Sequence, residues 1–156
     1  MRLLSILAII AGTGSAMADG GSYDISGTTV GKASNEYMPL GETHLFIKSN
    51  TAYTLPDNGT PMAGMNGTCA GTMLVTMGAG AEGSGVCTWT DADGDTWYGP
   101  WAVNGMTPDR AALGTWYVSG GTGKFATATG GGTFTTLTNP DTGDSKLDVL
   151  GSVTLK

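Results

Sequence analysis

The chain has 156 residues, of which 40% are hydrophobic and 13% charged, with 27 glycines, two cysteines and one histidine. That length suits one domain, and the apolar share supports a core, which argues against a disordered chain. The net charge is −6 and the basic residues beyond the leader (Lys32, Lys48, Arg110, Lys124, Lys146, Lys156) are scattered, which excludes a nucleic-acid surface and a patch for anionic lipid.

In chain order, the first element is an export signal. Arg2 supplies a positive start, Leu3 to Ile10 a short apolar run, and Ala16-Met17-Ala18 a small-x-small cleavage site. The run is too short to span a bilayer, and no later segment is long and apolar enough to do so. Cleavage after Ala18 leaves a single domain over 19–156, expected in the bacterial periplasm or secreted, with a net charge of about −7 once Arg2 is gone. In that oxidising setting Cys69 and Cys87 read as a disulfide. Two thiols with one histidine in the chain make a poor zinc site, so no metal is expected.

No stretch of ten residues shows helical apolar spacing. Short runs rich in Thr, Val and aromatics recur instead, separated by Gly, Asn, Asp and Pro, as antiparallel strands require. Strands are expected near 22–30, 42–49, 67–77, 85–91, 95–103, 112–118, 131–138 and 146–156. Met73, Val75 and Met77 share one face, as do Trp97, Trp101 and Val103, and Leu147, Val149, Val153 and Leu155. Gly99 and Gly151 interrupt apolar faces, as at bulges or the bends of a closed barrel. Cys69 and Cys87 fall on the faces of Met73 and Trp89, which makes a cross-strand bond reasonable. Residues 55–66 and 104–111 read as surface loops, the second with one helical turn after Thr107. The Asn58-Gly-Thr and Asn66-Gly-Thr triplets read as turns.

Three motifs suggest chemistry. Asp91-Ala-Asp-Gly-Asp95 has carboxylates at alternate positions, but the glycine and the twelfth residue do not fit a calcium loop, so it reads as a hairpin turn with Gly94 at positive φ. Gly120-Gly-Thr-Gly-Lys124 lacks the first glycine, the hydroxyl residue after the lysine and the following helix of a phosphate loop, so it too reads as a turn. His44 shares a strand face with Glu42, Phe46 and Lys48. Either that face is solvated, or it lines a polar cavity where His44 acts as acid or base with Glu42 setting its pKa. Soft methionine sulfurs are read as core, and the tryptophans and tyrosines either as core or as walls for a flat apolar ligand.

From Gly114 the chain reads Gly-Thr-Trp-Tyr-Val-Ser-Gly-Gly-Thr-Gly-Lys-Phe-Ala-Thr-Ala-Thr-Gly-Gly-Gly-Thr-Phe134. This resembles the signature turn of the allene oxide cyclase and dirigent barrels, a Gly-Gly-(Thr/Ser)-Gly-aromatic turn shortly before another Gly-rich strand. The Cys87–Asp95 hairpin resembles bacterial relatives of that barrel. More loosely, Leu40-Gly-Glu42 and Asn50 to Tyr53 resemble segments of the plant cyclases. The resemblance implies an all-β, eight-stranded antiparallel barrel with an apolar cavity, often a trimer, working without a cofactor. Known members cyclise a fatty-acid epoxide or steer the coupling of phenoxy radicals.

Three functions follow as expectations. The first is a cofactor-independent isomerase, cyclase or lyase acting on a small hydrophobic or aromatic molecule in the cavity. In it Glu42 and His44 form the acid/base pair and Lys48 or Arg110 holds an anionic group. Tyr53, Trp89, Trp97, Trp101 and Trp116 form the walls. The second is a non-catalytic periplasmic binding protein for a similar ligand. The third is an envelope protein whose barrel is simply filled.

Overall fold

In the computed structural model, which describes residues 20–156, most of the described residues lie in strands, and none of them forms an α-helix. The expected signal segment lies outside the described residues. The strands are β1 (Gly21–Asp24), β2 (Gly27–Ala33), β3 (Glu36–Leu40), β4 (His44–Thr54), β5 (Asn66–Thr76) and β6 (Gly80–Thr90). They continue as β7 (Thr96–Met106), β8 (Ala112–Tyr117), β9 (Gly120–Gly121), β10 (Thr129–Thr138) and β11 (Asp144–Leu155). A single 3₁₀ turn, Gly123–Phe125, precedes β10. Among the described residues no helix is long and apolar enough to cross a membrane.

Eight of these strands close an antiparallel barrel. Going around it, β2, β4, β5, β6, β7, β8, β10 and β11 pair in turn, and β11 returns to β2 with Lys32 opposite Asp144 and Gly27 opposite Val149. Closure leaves no free edge within the ring. The remaining strands extend it. β1 continues along β11 beyond Gly151, β3 pairs with the first half of β4, and β9 pairs with the start of β7.

The expected strands hold, except that β6 starts at Gly80 and not near 85, and with four further corrections. Segment 22–30 breaks at Ile25 and Ser26 into β1 and β2, because β11 bends at Gly151 (φ 149°) and changes neighbour there. Gly99 marks a similar change on β7. A Cβ there would sit 1.6 Å from the Tyr117 carbonyl oxygen, where β7 leaves β8 for β9. Segment 36–40, not expected as a strand, forms an exposed hairpin arm with β4, and β4 itself runs on to Thr54.

The third correction concerns 55–66. It is not a surface loop throughout, because Met62 and Met65 are fully buried. Asn58 Oδ1 accepts the Thr60 N–H, as a turn requires, and the Met65 carbonyl accepts from Leu55. This folds both thioethers back into the barrel end, while Asn66 opens β5 instead of turning. Lastly, 104–106 belong to β7, and only 107–111 turn, with Arg110 N–H donating to the Thr107 carbonyl.

Alternation of the chain direction puts 55–65, 91–95 and 118–128 at one end of the barrel, and 77–79, 107–111 and 139–143 with the β3–β4 hairpin at the other. The first end is closed by Phe125, Met62, Met65, Val153 and Leu155, all essentially without exposure. A smaller cluster, Ile47, Val75, Ala81, Val103 and Ala112, lines the wall toward the second end.

Candidate functional site

The inner wall follows from strand alternation. On β4 the odd-numbered residues Leu45, Ile47, Ser49, Thr51 and Tyr53 turn inward, while His44, Lys48, Asn50 and Ala52 are exposed. On β5 to β7 the odd positions also face in, including Cys69, Met73, Val75, Cys87, Trp89, Trp97, Trp101 and Val103. Cys69 and Cys87 stand directly opposite in the β5–β6 ladder, with Cα atoms 4.0 Å apart, and are joined in a disulfide.

Four aromatic rings form an arc over this wall. Tyr53 and Trp89 centroids are 6.5 Å apart, Trp89 and Trp97 are 5.8 Å apart, and Trp97 and Trp116 are 6.1 Å apart. These spacings are those of favourable offset or tilted aromatic pairs. Trp101 stands in a second layer, edge-on to Phe134 at 6.4 Å. The rings lie flat because the neighbouring strand offers glycine. A Cβ on Gly67 would be 2.2 Å from the Trp89 ring, and one on Gly31 would be 2.4 Å from that of Tyr53. Flat rings leave the middle of the barrel open.

That opening is a cavity of about 1210 Å³ running from the aromatic arc to a rim that includes Tyr37, Met77, Arg110, Asn139 and Asp141. The barrel is therefore not simply filled. Its charged lining residues, Asp109, Arg110, Asp141, Asp144 and Lys146, belong to the rim turns or to outward-facing positions. Inside the rim the polar groups of the wall are the hydroxyls of Ser49, Thr51, Tyr53, Thr136, Thr138 and Ser145, joined by the half-buried Asn35 carboxamide, whose Oδ1 accepts the Asn50 N–H. The indole N–H groups of Trp97, Trp101 and Trp116 are buried without an acceptor among the described residues.

Comparison of the sequence with family models, curated proteins and solved structures gives no match. The site is therefore read from its own geometry.

The candidate residues divide between the two faces of the wall. Tyr53, Trp89, Trp97, Trp101 and Trp116 come together on the inner wall, with Arg110 at the rim. Arg110 is exposed, sits at φ 68°, and has no acid partner among the described residues. Such a backbone costs a non-glycine residue about 1 kcal/mol and persists only where neighbours hold it, here the Thr107 hydroxyl and carbonyl.

Glu42, His44 and Lys48 are corrected. Glu42 lies on the turn after Gly41 and does not share the face of His44. The His44 ring nitrogen Nδ1 meets the Thr43 hydroxyl at 2.9 Å on the outer surface. Lys48 pairs with Glu36 at 3.0 Å, both well exposed. The reason is register: Ile47 and Tyr53 take the inner face, so every even position of β4 faces outward. These three residues do not reach the cavity.

At the closed end the two turn motifs meet. Asp91 Oδ1 accepts the N–H groups of Asp93 and Asp95, and Gly94 takes φ 86°. The 120–124 turn docks on it, with Lys124 Nζ paired to Asp91 Oδ2 at 2.5 Å and donating to Asp93 Oδ2 at 3.2 Å. The ammonium thus stands between the carboxylates that would otherwise face a cation. Burial pushes the Asp91 carboxyl up, but the Lys124 ammonium and the two backbone N–H groups outweigh it and hold it below its ordinary value. Lys124 is raised, first by Asp91. This contact joins segments about thirty residues apart, and no local pattern signals it.

Proposed function

We propose that this protein is an exported binding protein whose barrel holds one small, neutral hydrophobic or aromatic molecule. The observation that carries the reading is the cavity of about 1210 Å³, walled by the Tyr53–Trp89–Trp97–Trp116 arc and free of charged side chains inside its rim. Apolar pockets of this size with a few polar groups are the usual small-molecule sites. The disulfide, formed in oxidising compartments, supports export. The resemblance carried by residues 114–134 supports the same cavity.

Binding without turnover is favoured over an isomerase, cyclase or lyase. General acid–base work needs a titrating group in reach of the substrate. The expected pair, Glu42 and His44, is on the outer surface, and among the described residues the one acid–base group on the wall inside the rim is the Tyr53 phenol, which Ser145 and Thr136 already engage.

Biphenyl titrated into the protein tests this. It should change the tryptophan emission saturably, and equally in the outer-wall variant His44→Gln. Ser49→Phe, which pushes a ring into the cavity, should weaken binding at least about tenfold, because filling the space removes the apolar burial that drives it. Absence of saturable binding removes the cavity reading. Loss of binding in His44→Gln would return the outer face to the site.

A further inference from the structure

Inside the rim, the hydroxyls of Tyr53 on β4, Thr136 and Thr138 on β10, and Ser145 on β11 touch one another across the wall. Tyr53 Oη is 2.9 Å from Ser145 Oγ and 3.3 Å from Thr136 Oγ1. Ser145 Oγ is 3.0 Å from Thr138 Oγ1 and 3.4 Å from Thr136 Oγ1. Ser145 is almost fully buried, and Tyr53 nearly so. None of these residues sits beside a charged group inside the rim.

Hydroxyl accounting gives this cluster a direction. Each hydroxyl brings one proton and two lone pairs. Four hydroxyls bring four protons, and the four contacts, two short at 2.9 and 3.0 Å and two long at 3.3 and 3.4 Å, can take one each. Of the eight lone pairs, four are filled by those same contacts. The cluster is therefore saturated as a donor and unsaturated as an acceptor. The buried indole N–H groups do not change this, because neighbouring atoms cover them.

We propose that this cluster is the polar recognition point of the cavity, and that it selects a ligand carrying a hydrogen-bond donor, a hydroxyl or an N–H, on a neutral apolar body. The inference rests on the reading of the cavity as a binding site and adds the class of molecule. A ketone or ether meets no free proton there. A carboxylate meets only lone pairs, and an ammonium would enter a wall without a counter-charge, which is costly for an isolated ion. A donor on an aromatic or otherwise flat body satisfies the spare lone pairs while the rings take the rest.

Three matched probes test it: para-phenylphenol, its methyl ether and biphenyl, titrated calorimetrically. In the wild-type protein the phenol should bind about five- to tenfold more tightly than the ether, the worth of one neutral hydrogen bond. Tyr53→Phe keeps the ring but leaves three protons for two contacts, freeing a donor. The ether should then gain on the phenol and the ratio fall toward one, with biphenyl as the common reference for any change in apolar contact at the Tyr53 ring. Ser145→Ala removes little volume and should also reduce the ratio. Equal affinities for phenol and ether in the wild type, with biphenyl bound, would overturn the proposal and leave the cavity reading intact. So would a ratio that survives both variants, which would mean that the cluster holds only water. If none of the probes binds, the cavity reading falls, and this proposal with it.

Discussion

At the scale of single residues, the most consequential contact is between Asp91 and Lys124. The Asp91 side chain is only 6% exposed, so its charge depends on the ammonium and on the two N–H groups it accepts. Its folded-state pKa is lowered from 3.8, so the stability it adds is complete above that value and is lost as pH falls through the lower folded value. Lys124 is raised from 10.5, so its contribution is complete below that value and is lost as pH climbs through the higher one. Removing one partner of such a pair leaves a poorly compensated charge. Lys124→Met should therefore cost about 2 kcal/mol near neutral pH, on the scale of a charged hydrogen bond. Asp91→Asn should flatten the acid limb of the melting curve against pH. Thermal melts of both variants across the acid range check this, and an unchanged acid limb in Asp91→Asn would remove Asp91 from the account.

At the scale of strands, the pairing of an aromatic on one strand with a glycine on the next shapes the wall. The alternation of Met73 and Val75, of Trp97, Trp101 and Val103, and of Leu147, Val149, Val153 and Leu155 is legible in the sequence, and each set does face inward. Carried two residues back from Leu147, the same alternation reaches Ser145, which is how the hydroxyl cluster could have been found. Serines and threonines are so common in these strands that nothing else marks it. The inward burial of Met62 and Met65 was not legible, because Asn58, Gly59 and Pro61 dominate the local pattern and only the shape of the barrel end decides burial. The side of β4 was also undecided locally: Phe46 and Ile47 are both apolar, and closure of the barrel, not composition, turned Ile47 inward. Adding a methyl group where a ring lies should be costly. Gly67→Ala should lose about 1–3 kcal/mol, as overpacked cores do. Trp89→Leu in the same chain should recover part of that loss, because it removes the ring that the new Cβ meets. Chemical denaturation of the two single variants and the double variant measures it. Strict additivity would show that the Gly67–Trp89 contact is not the cause.

At the scale of the molecule, the barrel is uneven along its axis. At one end the fully buried side chains, the two docked turns and the Asp91–Lys124 pair are gathered together. At the other the cavity reaches the rim, and β3 is exposed along its whole length and bonded on one side only. Local opening free energies follow buried apolar contact and backbone pairing, so they should grade from rim to closed end. The middle strands β5 and β6 add the Cys69–Cys87 bond, which constrains the unfolded chain and is worth about 3 kcal/mol for a loop of this size in the chain-entropy model. Hydrogen exchange should accordingly be fastest in Glu36–Leu40 and the 107–111 and 139–143 turns, and slowest in β7 around Trp97 and in β11 from Val153. A ligand seated on the aromatic arc should slow exchange in the inward-facing strands toward the rim more than at the closed end, which is already protected. Uniform exchange along the barrel, with or without biphenyl, would mean that the open and closed ends unfold as one unit and that the cavity costs the structure nothing locally.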